Sequence, residues 1–442
     1  MGKYKKLSLN LIIMTIGQFS TKVLSFLFVP LYTFVLSPDE FGTFDLISTT
    51  KTLLTPFLTL VIFEAVLRFC LEDKQNAPEI LSIGIYINIL GTFFLTIAYP
   101  LVSFVKPELS EYFIWVIVFF FISNIHTVLD SYLRGTNSVK FYTLCGVLST
   151  VFAISFNLLF LLVFKWKLEG YMLSYILSSL IVSIIIVLKC HIPKFLISPF
   201  KINKSTLFSM LKFSCPMIPN SVSWWVCNSL GKYMVLFFIN TAAVGIFSVS
   251  YKIPSIISIV LNIFISAWQI SAFENFSSEK SQSFFRNIYL VLSSLANVLV
   301  AAIILFSKFV AYILYQKEFF SAWKFSSILV FAFLFHSLSA FLGTVYTAAK
   351  KTKMLFLSTL LSAGVNILFN LLLIPLFGIA GAAFSALLSY FSVWLFRLLN
   401  TASIMKLNIQ WKKDSLSYLL IFVQIAVSII DKNFSFPVSA VI

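Results

Sequence analysis

The chain has 442 residues, 60% of them hydrophobic and only 11% charged, with a mean hydropathy of +0.98. Apolar runs of about twenty residues follow one another along nearly its whole length, which excludes a water-soluble globule and predicts an all-α polytopic integral membrane protein. The formal net charge of +16 does not point to nucleic acid, because the basic residues gather in alternate loops.

In chain order, hydropathy predicts about twelve transmembrane spans: 7–36, 44–70, 80–105, 112–134, 141–164, 168–189, 208–239, 242–272, 284–313, 322–348, 354–376 and 379–400. Three lysines precede the first run, which is too long for a signal peptide and has no small-x-small cleavage site, so it reads as an uncleaved span. Loops on the N-terminal side carry eighteen lysines and arginines, from Lys3, Lys5 and Lys6 to Lys412 and Lys413. The opposite loops carry six, Lys106, Lys165, Lys167, Lys308, Lys317 and Lys324. That bias places the N-terminus in the cytoplasm.

The longest hydrophilic connection, Lys189 to Lys204 with Pro193 and Pro199, divides the chain. The reading is an N-terminal six-helix lobe (1–190), a basic cytoplasmic linker (191–206), a C-terminal six-helix lobe (207–403) and a tail (404–442). Within the tail, 416–430 is an incomplete extra hairpin or an interfacial segment, and 434–442 is too short to span. The five cysteines have no C-x-x-C spacing and read as free, small apolar residues.

The halves echo each other. A shift of 213 residues lays Lys140–Leu159 on Lys353–Leu372, ending in Phe156-Asn157-Leu158-Leu159 against Phe369-Asn370-Leu371-Leu372. Phe41-Gly42-Thr43-Phe44 pairs with Val244-Gly245-Ile246-Phe247, and Gly170 with Gly381. With six spans per half, both copies start on the same side, so the repeat is parallel, and transporters built this way place the substrate between the halves.

Charged groups at membrane depth face a cavity or a partner, or snorkel to the headgroups. The candidates for a basic, substrate-binding cavity are Lys22, Lys51, Lys232 and Lys252. Lys22 lies about 22 Å along its helix at 1.5 Å per residue, too deep to reach the cytoplasmic surface easily. Lys51 and Lys252 follow the paired glycines Gly42 and Gly245 at similar distances. Arg68 and Arg397 sit near cytoplasmic ends and read as snorkelling. Glu64 and Arg68 are spaced to neutralise each other. His126, Asp130 and Arg134 form a stripe on one helix face, which reads either as an ion or proton relay or as a plain intrahelical ion pair. Ion coupling therefore falls on His126, Asp130, Arg134 and Glu64. His336 reads as a packing residue. Pro30, Pro56, Pro216, Pro219 and Pro254 predict bends in spans one, two, seven and eight. Walker A, H-E-x-x-H and G-x-S-x-G patterns are absent from the sequence, as is any metal-ligand cluster, so neither an ATP-driven pump, a bound cofactor nor an enzyme is predicted; a proton or sodium gradient is the energy source left.

Gly231-Lys232-Tyr233-Met234-Val235-Leu236-Phe237-Phe238 and Val244 through Lys252, Pro30-Leu31-Tyr32 with Phe41-Gly42-Thr43-Phe44, and Gly378-Ile379-Ala380-Gly381-Ala382-Ala383 resemble the Wzx-type O-antigen and capsule repeat-unit flippases of the multidrug/oligosaccharidyl-lipid/polysaccharide exporter superfamily. The resemblance covers about residues 7 to 402. It implies a MATE-like pair of bundles in the bacterial inner membrane. It also implies an undecaprenyl-pyrophosphate-linked glycan as substrate, with membrane lipids, a polysaccharide polymerase and a chain-length regulator as partners. Many relatives carry an acidic-basic pair where this chain has Gly231-Lys232, so no role for that acid carries over. A cation-coupled efflux transporter of the same superfamily would need more membrane acids than Glu64 and Asp130. A peptidoglycan-precursor flippase would have a fuller set of spans. A membrane polymerase would need a substantial outer loop, which this chain lacks.

Overall fold

Hydrocarbon offers a backbone amide no partner, so a chain this apolar must satisfy its peptide groups within each segment, as helices. The computed structural model describes residues 22–24, 26–100, 107–275, 281–349, 351–405 and 411–430, and among these it is helical without a strand. The helices are α1 (Val29–Val35), α2 (Pro38–Leu58), α3 (Ile62–Glu72), α4 (Ala77–Ile97), α5 (Pro107–Gly135), α6 (Val139–Asn157), α7 (Lys167–Lys189), α8 (Lys204–Ser214), α9 (Ile218–Phe238) and α10 (Thr241–Ser250). They continue as α11 (Lys252–Asn275), α12 (Ser281–Leu314), α13 (Trp323–Ala348), α14 (Thr352–Phe377), α15 (Ile379–Thr401) and α16 (Trp411–Ile430). Nine described stretches are long and apolar enough to cross a membrane, ten if α2 and α3 form one bent span. Most of the first predicted span, and 434–442 in the tail, lie outside the described residues. Helix α9 is long enough to cross but is not among the nine, because Asn220, Ser221, Ser223, Asn228 and Lys232 make it polar.

The predicted bend in span two is present. Pro56 removes one amide from the helical ladder, and Leu60 and Val61 follow in the left-handed region at φ 54° and 53°, so α2 and α3 meet at 57°. Pro216 sits in a 3₁₀ turn, Cys215–Met217, between α8 and α9, and Pro254 lies just after the break at Tyr251 between α10 and α11. All five cysteines are free thiols.

Two compact units emerge. One comprises Met1–Phe28 and Thr43–Trp225, the other Val29–Gly42 and Val226–Ile442, so the predicted linker lies inside the first. The first unit is built on a core of Ile62, Val66, Leu81, Val128, Leu133 and Ile186. In the second, α13 is the central helix, with 83% of its apolar window buried. There α1 and the turn after it pack on later helices: Thr33 Oγ1 donates to the Leu314 carbonyl (2.8 Å), and Phe41 meets Phe319 edge-on at 5.9 Å. Gly42 and Gly245, the paired glycines, touch within this unit. A Cβ on Gly42 would strike the Thr241 carbonyl, and one on Gly245 the Pro38 carbonyl.

The repeat is visible in side-chain detail. Asn157 and Asn370 are both fully buried, each donating Nδ2 to the carbonyl four residues back, at 2.7 and 2.8 Å. Gly170 packs against Phe160 and Gly381 against Leu373, and 160 plus 213 is 373. The two hairpins differ in their connections. The first passes through a π-helical segment, Leu158–Val163, whereas the second turns through Gly378 alone, at φ +58°. A π turn absorbs extra residues without breaking the backbone ladder, which accounts for the offset of 211 between Gly170 and Gly381. Helices α14 and α15 are also clasped by Ser362 and Ser389, each hydroxyl donating to the other's carbonyl at 2.8 and 2.9 Å.

Because a Cβ at Gly381 would collide with the Leu373 carbonyl, Gly381→Val is expected to cost about 1–3 kcal/mol through overpacking. The detergent-purified variant should melt below wild type, while Val at Gly364, which faces open space, should be nearly neutral.

Candidate functional site

A lysine ammonium at membrane depth needs its charge compensated, and an aromatic face is one of the few groups there that supplies negative potential without a counter-charge. In the first unit, Lys51 of α2 is partly buried, its Nζ 4.7 Å from the Phe119 ring centre on α5. Around it, Thr55 Oγ1 donates to Asn124 Oδ1 (3.3 Å) and Trp225 Nε1 donates to the Thr49 carbonyl (3.1 Å). Further along α5, His126 Nε2 lies 3.6 Å from Asp130 Oδ2, and its Nδ1 is 3.2 Å from Ser183 Oγ on α7. Arg134 turns from this pair to Ser131 Oγ (3.2 Å) and the Tyr142 ring (5.6 Å). The predicted stripe is therefore one helix face, with His126 and Asp130 paired and Arg134 engaged elsewhere.

In the second unit, Lys232 of α9 stands over the Tyr251 ring at 5.9 Å, and Lys252, next in the chain, over Phe41 at 5.9 Å. The break between α10 and α11 thus brings Lys232 to Tyr251 and carries Lys252 beside it in the chain. Lys22 is exposed. Glu64 has no ion pair among the described residues, because Arg68 pairs with Glu72 instead (2.9 Å) and lies over Phe213.

Arg397, read as snorkelling, is in fact 1% exposed. It donates from Nε to Ser358 Oγ (2.9 Å), from Nη1 to the Ser339 carbonyl (2.8 Å) and from Nη2 to Thr359 Oγ1 (3.2 Å), joining α13, α14 and α15 without a carboxylate. Gly343 leaves it room, since a Cβ there would sit 3.0 Å from Nη1. The partners come from two other helices, so no local spacing signals them. Nearby, Asn228 Oδ1 accepts from the Tyr390 hydroxyl, and His336 lies between Phe333 and Tyr390 at ring distances of 5.7 and 5.0 Å. The described residues contain no group of three or more His, Cys, Asp or Glu fit to hold a metal.

This geometry predicts an unusual order of stability at residue 397. A lysine keeps the charge but not the three-way fork, and is expected to cost on the order of 3 kcal/mol. A methionine of similar volume removes the charge, so thermal melting should rank Arg397→Met above Arg397→Lys.

Comparison with solved structures gives the fold. An inward-facing multidrug resistance MATE family transporter of the MOP superfamily matches with a TM-score of 0.70 at 14% identity, covering 93% of this chain and 96% of that one. The outward-facing conformation of a multidrug resistance MATE family transporter matches at 0.61 and 14%, covering 96% of each. A MOP superfamily transporter from Pyrococcus furiosus, described as having a binding pocket of reversed polarity that suggests a different function, matches at 0.64 and 15%, covering 97% of each. No curated protein matches the sequence significantly. The family model described as polysaccharide biosynthesis protein matches residues 7–269, and with the all-helical, MATE-like membrane fold it shows that the chain belongs to the polysaccharide biosynthesis protein family.

Proposed function

We propose that this membrane transporter flips an undecaprenyl-pyrophosphate-linked oligosaccharide, an O-antigen or capsule repeat unit, from the cytoplasmic to the outer leaflet of the bacterial inner membrane by alternating access. The observation that carries the reading is the sign of the charge at membrane depth. Lys51, Lys232 and Lys252 each lie over an aromatic ring and Arg397 is buried without a carboxylate, while Asp130 is the acid paired inside a helix. A diphosphate entering low dielectric needs fixed positive charge, and these bases supply it.

In this reading the N-terminus is cytoplasmic, the lipid tail stays in the bilayer, and the sugar crosses beside the lysines. His126, Asp130, Arg134 and Glu64 are the groups for coupling to a proton or sodium gradient, and a polymerase and chain-length regulator take the product. A cation-coupled efflux pump, the second reading, calls for buried acids in place of these bases.

Deleting the gene in its host and measuring surface polysaccharide together with lipid-linked repeat units tests the proposal. Loss of polymer with single repeat units retained in the inner leaflet is expected, restored by wild type and reduced at least tenfold in Lys51→Gln. Normal polysaccharide with altered drug sensitivity contradicts it.

A further inference from the structure

The stretch from Lys189 to Ser214 carries five lysines and one histidine and contains no aspartate or glutamate. It is not a slack linker. The Ile197 N–H donates to Ser82 Oγ (3.0 Å), the Tyr86 hydroxyl to the Ile197 carbonyl (3.0 Å), and the Asn203 N–H to Glu79 Oε1 (2.6 Å). These bonds strap it to the first half of α4. Ile192 is buried beneath it, and Phe195 meets the Tyr132 ring at 6.5 Å. Between the pinned points Pro199 opens a 3₁₀ turn, Pro199–Lys201, and Phe200 on that turn is 99% exposed.

Helix α8 continues the pattern. Met210 and Ser214 are buried, and Leu207 and Leu211 pack on the core of the first unit. Lys204, Phe208 and Lys212 recur every four residues and share a second face, on which all three are exposed and Phe208 is 68% so. At 1.5 Å per residue α8 is about 16 Å long, too short to cross a membrane. The strap follows directly on α7, which crosses and ends at Lys189, and lies on α4, which crosses and begins at Ala77. Strap and α8 therefore sit where those helices leave the hydrocarbon, at the depth of the lipid head groups.

None of the five lysines forms an ion pair among the described residues. The acids at the adjoining helix ends are engaged, Glu72 with Arg68, Glu79 with Asn203, and Asp73 with Gln75 and Asn76. Ammonium groups interleaved with exposed rings at this depth are complementary to a lipid leaflet. The lysines meet head-group phosphates, and the rings enter the boundary between head groups and acyl chains.

We propose that residues 189–212 form an anionic-lipid surface, with Lys194, Lys201, Lys204 and Lys212 on the phosphates of an acidic phospholipid and Phe200 and Phe208 set into the leaflet. The surface fastens the connection ahead of α9 to the bilayer. The inference does not rest on the identity of the transported substrate.

Two measurements on the full-length protein test it. In its own membrane, the variant Phe200→benzoylphenylalanine should gain the mass of a phospholipid on illumination. The same probe at Val163, exposed on the crossing stretch 139–163, is the positive control. Coupling of position 200 to another polypeptide, or no adduct there while Val163 reacts, overturns the proposal. The purified protein should also melt higher with added phosphatidylglycerol than with phosphatidylcholine, and salt should shrink the difference. Combining Lys201→Gln, Lys204→Gln and Lys212→Gln should remove most of that difference while leaving melting in phosphatidylcholine as in wild type. Removing three exposed lysines elsewhere, with Lys351→Gln, Lys353→Gln and Lys412→Gln, should leave the difference intact. Equal melting in the two lipids, or equal losses in the two triple variants, overturns the proposal as well.

Discussion

Fixed positive charge inside a hydrocarbon-immersed bundle is the constraint around which this molecule is arranged. The protein answers it in more than one way. Arg397 is held by two hydroxyls and a carbonyl from two neighbouring helices. Lys51, Lys232 and Lys252 are set over Phe119, Tyr251 and Phe41. Ring contacts of this kind contribute about 0.5–2 kcal/mol, far less than a matched ion pair in low dielectric. Arg397, with its fork committed, serves the architecture of the second unit.

The second organising feature is duplication. The equivalences Asn157 to Asn370 and Phe160 to Leu373 preserve both a buried amide bonded to its own helix and a close helix–helix approach at a glycine. Duplication did not preserve the hairpin connection, where a π segment in one copy stands against Gly378 in the other. Nor did it preserve charge: the first copy carries the His126–Asp130 pair on α5, while in the second unit His336 lies among aromatic rings on α13. The two units share a helix plan and differ in chemistry.

Much of this was legible beforehand, because hydropathy, positive charge in loops and repeat spacing are local properties of the chain. The class and the spans over 112–134, 141–164, 168–189, 284–313, 322–348, 354–376 and 379–400 follow from them, and the bend after Pro56 follows from a proline within an apolar run. What was not legible depends on which helix lies beside which. Arg397 sits where a snorkelling residue would sit, and only the neighbouring Ser339, Ser358 and Thr359 turn it inward. Arg68 has acids at i−4 and at i+4, and spacing alone does not tell that it pairs with Glu72. Hydropathy makes α9 one more apolar span, yet its Asn, Ser and Lys content marks it as a helix with polar neighbours, seen in the Asn228–Tyr390 contact. The tail resolved into α16, whose polar face becomes meaningful only once α12 is beside it.

The most direct measurement is ligand binding to the purified protein across a series of polyprenyl lipids that differ only in head group. If the lysines define the site, affinity should rise from the neutral alcohol through the monophosphate to the diphosphate, by at least tenfold overall, and weaken as salt is added. Lys51→Gln and Lys232→Gln should each flatten that series. Equal affinity for the alcohol and the diphosphate, or a preference for organic cations, would contradict the account.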